Sequence, residues 1–199
     1  MSLKDYFKAA DPGKTDLCAV ICIDQKTGYG AESPINRALS KIQDDLRKEA
    51  DPEGGGSYGS VREAFVYKNE QSLDVEPFER IDQSTPYFSI ENYSEVEHNL
   101  AHVLFMGLVL LEKARREEKV PTAKRLYLVT DRKFTRQEVN RIIFEDEEGE
   151  SKEISILPRF SDICDEAVMY LYKTERAGDS RLEKLFTEVH IIADKKSKK

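Results

Sequence analysis

Two kinds of apolar patterning alternate along this chain, and together they predict its elements. Short continuous apolar runs mark strands buried on both faces, and apolar residues recurring every three to four positions mark amphipathic helices. Leu17 to Ile23 is unbroken and ends in Asp24, which predicts a first strand over about 16–24. A loop from Gln25 to Glu32 follows, and Ser33-Pro34 reads as an N-cap with proline at the first helical position. Ile35, Ala38, Leu39, Ile42 and Leu46 then keep helical spacing over about 34–49. Asp51-Pro52 and Gly54-Gly55-Gly56 break the chain. Val61 to Tyr67 reads as strand two, and Ser72 to Phe78, with Pro77 inside it, as a short edge strand. The short link between them favours an antiparallel hairpin.

The second half continues the alternation. Ser94-Glu95-Val96-Glu97 is a capping-box pattern opening a long helix over about 95–118, with Val96, Leu100, Val103, Leu104, Leu108, Leu111 and Ala114 on one stripe. Leu126 to Thr130 is a second apolar run ending in an aspartate, Asp131. Thr135 to Glu138 reads as the cap of a further helix with Val139, Ile142 and Ile143 inward, and Glu145 to Glu150 as an acidic turn. A strand is expected over Glu153 to Leu157, a helix opened by Ser161 with Ile163, Ala167, Val168 and Leu171 inward, a short helix capped by Ser180, and a last strand from Glu188 to Ala193. The pattern as a whole predicts a doubly wound α/β domain with a mostly parallel central sheet, one antiparallel edge strand and helices on both faces. The domain spans 16–193, between a polar lead-in at 1–15 and a basic tail at 194–199.

Composition narrows the function classes. The chain is 35% charged with a formal net charge of −7, so the bulk surface repels phosphate backbones and nucleic-acid binding is disfavoured. Three cysteines, two of them inside the first predicted strand, form no CxxC pair; this fits a reducing cytoplasmic setting. No apolar stretch approaches a membrane span.

Candidate chemistry gathers at the two strand-end aspartates, because ligands in open α/β sheets bind beyond the carboxyl ends of the strands. The order of elements, with Asp24-Gln25-Lys26-Thr27-Gly28 after strand one, Ser94 before the long helix and Val129-Thr130-Asp131 after a later strand, resembles the von Willebrand factor type A domain. The resemblance implies a metal-ion-dependent adhesion site with an Asp-x-Ser-x-Ser motif, a threonine and a further aspartate. Asp24, Ser94 and Asp131 keep oxygen side chains at three of those positions; Lys26 and Gly28 replace the paired serines. Loss of two hydroxyls removes much of the oxygen cage that Mg²⁺ requires. Lys26 is then expected to place its ammonium near Asp24 and Asp131 in the metal's stead, with Thr27 as a spare hydroxyl. Asp24, Ser94 and Asp131 would be metal ligands only if the site still works; otherwise no cofactor is expected. The segment Thr130 to Thr135 is also faintly similar to the Ku proteins, which carry a divergent form of the same fold.

These residues point to a non-enzymatic module that binds another protein through the carboxyl-edge loops 25–33, 89–94 and 131–135. The alternative is a phosphotransferase or phosphatase with Asp24 as nucleophile, in which Lys26 stands where a second aspartate would do acid–base work. Gly28-Tyr29-Gly30-Ala31-Glu32-Ser33 only approximates a dinucleotide fingerprint, since the first glycine lies too far past the strand. His98 and His102 share a helix face but lack the intervening glutamate of a zinc protease.

Overall fold

A computed structural model describes residues 15–25, 33–51, 55–68, 72–90, 100–118, 120–131, 141–145, 151–172 and 185–192. In chain order the elements are β1 (Asp16–Asp24), α1 (Pro34–Ala50), β2 (Ser60–Lys68), β3 (Leu73–Arg80), α2 (Leu100–Glu117), β4 (Thr122–Thr130), β5 (Arg141–Glu145), β6 (Ser151–Ser155), α3 (Leu157–Ile163), β7 (Glu166–Tyr172) and β8 (Glu188–Ile192). Six strands form one sheet in the order β3-β2-β1-β4-β7-β8. All neighbours in it are parallel except β2 and β3, which form the antiparallel edge pair. Pro77 falls where the β2–β3 register shifts, so its missing N–H costs no regular ladder bond.

The helices pack on both faces of the sheet, and β1 shows why. Its even-numbered Cys18, Val20 and Cys22 join the cluster under α2, with Leu104, Leu108 and Leu111. Its odd-numbered Leu17, Ala19, Ile21 and Ile23 join the cluster under α1, with Ile35, Leu39, Ile42 and Leu46. Both faces of the strand are covered, so its sequence is apolar throughout rather than alternating. Helix α2 approaches β1 closely at Gly107, where an added Cβ would lie 2.5 Å from Cys22 Sγ. Cys22 Sγ in turn donates to the Val103 carbonyl at 3.5 Å. The cysteines are free thiols, and burial pushes the Cys22 thiol well above its ordinary pKa.

Three expectations for the second half are corrected. Ile142 and Ile143 lie in β5, not in a helix. The segment 151–155 is a strand, but it pairs antiparallel with β5 in a separate two-stranded sheet rather than joining the main one. Ala167, Val168 and Leu171 belong to β7, not to a helix opened by Ser161; the helix present is the shorter α3, with Pro158 in its first turn. The physical reason is a degenerate period. Residues 163, 167 and 171 are four apart, and four suits a strand's period of two as well as a helix turn. Ala167, Met169 and Leu171 in fact face α2, while Val168 and Tyr170 face α1. The caps predicted at Ser94, Thr135 and Ser180 lie outside the described residues, as do 1–14 and 193–199. Among the described residues, no helix is long and apolar enough to cross a membrane.

A segment without regular structure, 81–90, runs from the end of β3 back along α1. It is held by a polar column on that helix. Arg47 Nη2 donates to the Thr85 carbonyl at 2.6 Å, and the Arg47 guanidinium lies 3.8 Å from the Tyr87 ring centre. The Phe88 N–H donates to Gln43 Oε1 at 2.9 Å. Asn36 accepts from the Ile90 N–H at 2.9 Å and donates to the Ile90 carbonyl at 3.0 Å. Asn36, Gln43 and Arg47 are spaced seven and four apart, so they share one stripe of the helix. The stripe predicted from apolar residues alone is therefore incomplete. All three polar side chains are buried.

Candidate functional site

The chain builds the sheet outward from β1 in one direction, through β2 to β3, then returns to place β4 on the other side of β1. The β1/β4 boundary is therefore the topological switch point, the place where an open α/β sheet leaves a crevice at its carboxyl edge. Asp24 is the last residue of β1 and pairs in register with Thr130, the last residue of β4. Asp131 follows immediately. The structure thus brings two of the sequence-predicted residues, Asp24 and Asp131, to neighbouring strand ends. Both are buried, Asp24 completely. Lys26, Thr27, Gly28 and Ser94 lie outside the described residues.

The third strand end supplies a residue that sequence reading missed. Lys68 closes β2, and its ammonium donates to Asp24 Oδ1 at 2.6 Å. The side chains of Lys68 and Asp24 are 7% and 0% exposed, so both charges are inside the protein. The parallel β1–β2 register runs to Cys22 opposite Val66. Two further residues along each strand bring Asp24 level with Lys68. That register is the available signal, but the apolar pattern ends strand two at Tyr67, one residue short of the lysine. Lys68 thus brings an ammonium to Asp24 from 44 positions along the chain; the ammonium expected from Lys26 lies outside the described residues.

The loop after β1 is anchored close by. Ser33 Oγ accepts the Asn36 N–H at 3.1 Å, capping α1 as the Ser-Pro pair predicted. The Asn36–Ile90 exchange ties the far end of the 81–90 segment to the same first turn. Ser33, where the chain enters α1, and Ile90 are thus both held at the first turn of that helix.

The described residues do not fit a divalent ion. A cation set against Asp24 would meet a fixed, buried ammonium already engaging the carboxylate, and like charges in so dry a place repel strongly. Among the described residues there is no group of three or more His, Cys, Asp or Glu placed to hold a metal. Nor are the described histidines gathered: His102 is on α2, whereas His190 on β8 stacks on Tyr170 at the other face of the sheet. No protein family and no curated protein sequence matches this chain.

Proposed function

We propose that this α/β domain is a non-enzymatic partner-binding module of von Willebrand A type, whose carboxyl edge works without a metal ion. The observation that carries the reading is the Asp24–Lys68 pair at the switch point. It occupies the position where a ligand-binding α/β sheet presents its chemistry, and there it joins a strand-end carboxylate to a built-in cation. In the family that the sequence resembles, a metal would sit at this carboxylate and take an acidic group from the partner. A lysine neutralising the same carboxylate keeps the edge assembled at no dependence on divalent ions, and leaves recognition to the loops 25–33, 89–94 and 131–135.

The same pair weighs against Asp24 as a nucleophile in phosphotransfer. A nucleophilic carboxylate must reach a phosphorus atom, and Asp24 is fully buried with Oδ1 engaged.

The test keeps the buried pair intact, because removing either member alone breaks a buried ion pair and costs stability. Proteins captured by the native chain are compared with those captured by Lys26→Glu, in magnesium and in EDTA, alongside calorimetric titration with Mg²⁺. The reading expects capture that is lost in the loop variant, indifferent to EDTA, and no stoichiometric magnesium binding. Stoichiometric binding of magnesium overturns the metal-free site, and partners unchanged by the loop substitution overturn the edge. Turnover of a generic aryl phosphate that Asp24→Asn abolishes would instead establish the enzyme.

A further inference from the structure

The α1 face of the sheet contains a carboxyl group that the carboxyl edge does not use. Glu63, on β2, is 4% exposed. Its Oε1 accepts from Gln43 Nε2 at 2.9 Å, and the same Gln43 holds the Phe88 N–H of the 81–90 segment. Its Oε2 is buried with no hydrogen-bond partner. The charged groups around it are few. Arg47 of α1 favours the ionised form. Glu79 of β3, directly opposite Glu63 in the antiparallel register, opposes it. β1 brings Ala19 opposite Glu63, and Asp82 is the ionisable carboxylate of the covering segment. Burial is the dominant influence and pushes the carboxyl from its ordinary 4.5 up to about 7, against the Gln43 hydrogen bond and Arg47.

The covering segment behaves as a strap. Its contacts with α1 are side-chain hydrogen bonds and ring contacts rather than a continuous ladder. Phe88 stacks on Phe65 with ring centres 4.0 Å apart, which seats the strap on β2 two residues beyond Glu63. If the strap lifts, Glu63 and Arg47 gain water, and both have a buried polar atom without a hydrogen bond while it is down. Ionisation of Glu63 therefore favours the lifted state, because a charge gains more from water than a neutral carboxyl does.

We infer that residues 81–90 form a proton-operated latch, closed over Glu63 when its carboxyl is protonated and loosened when the carboxyl ionises. The linkage has a definite sign. A carboxyl whose pKa is raised in the closed state stabilises closure fully below its ordinary pKa, and loses that contribution as pH rises toward the closed-state value. The window is pH 4.5 to about 7. The latch itself does not depend on the partner-binding role. Its consequence does, since the strap ends at Ile90, tied to Asn36, where the proposed recognition loop 89–94 begins.

The experiment is amide hydrogen exchange of the full chain between pH 5 and 7, corrected for intrinsic rates, on the native protein and Glu63→Gln. The opening equilibrium of the Phe88 and Ile90 amides is expected to rise by up to ~10-fold per pH unit in the native chain and by less than ~3-fold overall in Glu63→Gln. Amides of β1 and α2 serve as the core reference. A strap response that persists in Glu63→Gln overturns the latch, and so do strap amides whose opening equilibrium is no larger than that of the core amides, because exchange then goes through global unfolding rather than through a lifted strap. A ¹³C titration of the Glu63 carboxyl in the native chain needs no substitution; a midpoint at the ordinary glutamate value overturns the proposal directly. None of these readouts involves a partner, so failure of the latch is distinguishable from failure of the proposed function.

Discussion

The two ends of the sheet handle buried charge in opposite ways. Near the amino ends of the strands, Arg125 of β4 places its guanidinium between three elements. Its Nη1 donates to both carboxylate oxygens of Glu49 at the end of α1, at 3.0 and 2.8 Å, and to Tyr127 Oη at 3.1 Å, while Nε donates to Glu166 of β7. Burial opposes the charge, but Tyr127 and the two carboxylates outweigh it and hold the guanidinium above its ordinary pKa. The three charged side chains keep 13% to 35% of their surface in solvent. At the carboxyl end, Asp24 and Lys68 are enclosed almost completely. The amino-end cluster is a brace: a planar fork with several acceptors that links α1 to two strands and remains partly hydrated. The carboxyl-end pair gives up hydration at the crevice where such sheets bind ligands. A buried ion pair contributes little net stability, because desolvation offsets attraction.

That contrast can be broken by experiment. The largest effect is expected from Lys68→Met, which breaks the buried pair with Asp24 and costs about 3–5 kcal/mol in urea unfolding. Replacing both partners, Asp24→Leu with Lys68→Met, is expected to recover most of the loss while removing the charge from the edge. A Lys68→Met cost below that of Arg125→Lys would show that the pair is hydrated and the contrast wrong. Next in size is Glu63→Gln, which tests a buried carboxyl at the level of Arg125, both being opposite Ala19. The native chain should lose about 3 kcal/mol of stability as pH rises from 4.5 to about 7, and the variant should lack that slope. Arg125→Lys keeps the charge but loses the fork, and is expected to cost about 2 kcal/mol. Smallest is Ser33→Ala, which removes the α1 cap and is expected to cost about 1 kcal/mol by the same urea assay.

Some of this architecture is legible without coordinates because it rests on local chemistry. The unbroken run from Leu17 to Ile23 requires a strand covered on both faces, and Ser33-Pro34 specifies where α1 starts. The β2–β3 hairpin follows from a link too short for any crossover. The misread elements share a different cause. Ala167 to Leu171 and Ile142-Ile143 are apolar segments whose spacing fits helix and strand alike, and pairing across the sheet decides between them. Gln43 and Arg47 look like ordinary solvent-facing residues of an amphipathic helix. They are buried because 81–90 comes to lie on them, a fact that no periodicity in α1 contains.

The candidate site divides along the same line. The sequence by itself determined that two apolar strands end in aspartates, and hence that Asp24 and Asp131 belong to a carboxyl edge. Only the tertiary structure brought Lys68 to Asp24. Strand identity is written in the near neighbours of each residue, whereas the partner of a strand-end carboxylate depends on which strand lies alongside and in what register. Parallel strands joined through a helix leave that register to the packed sheet, and the sheet set Lys68 against Asp24.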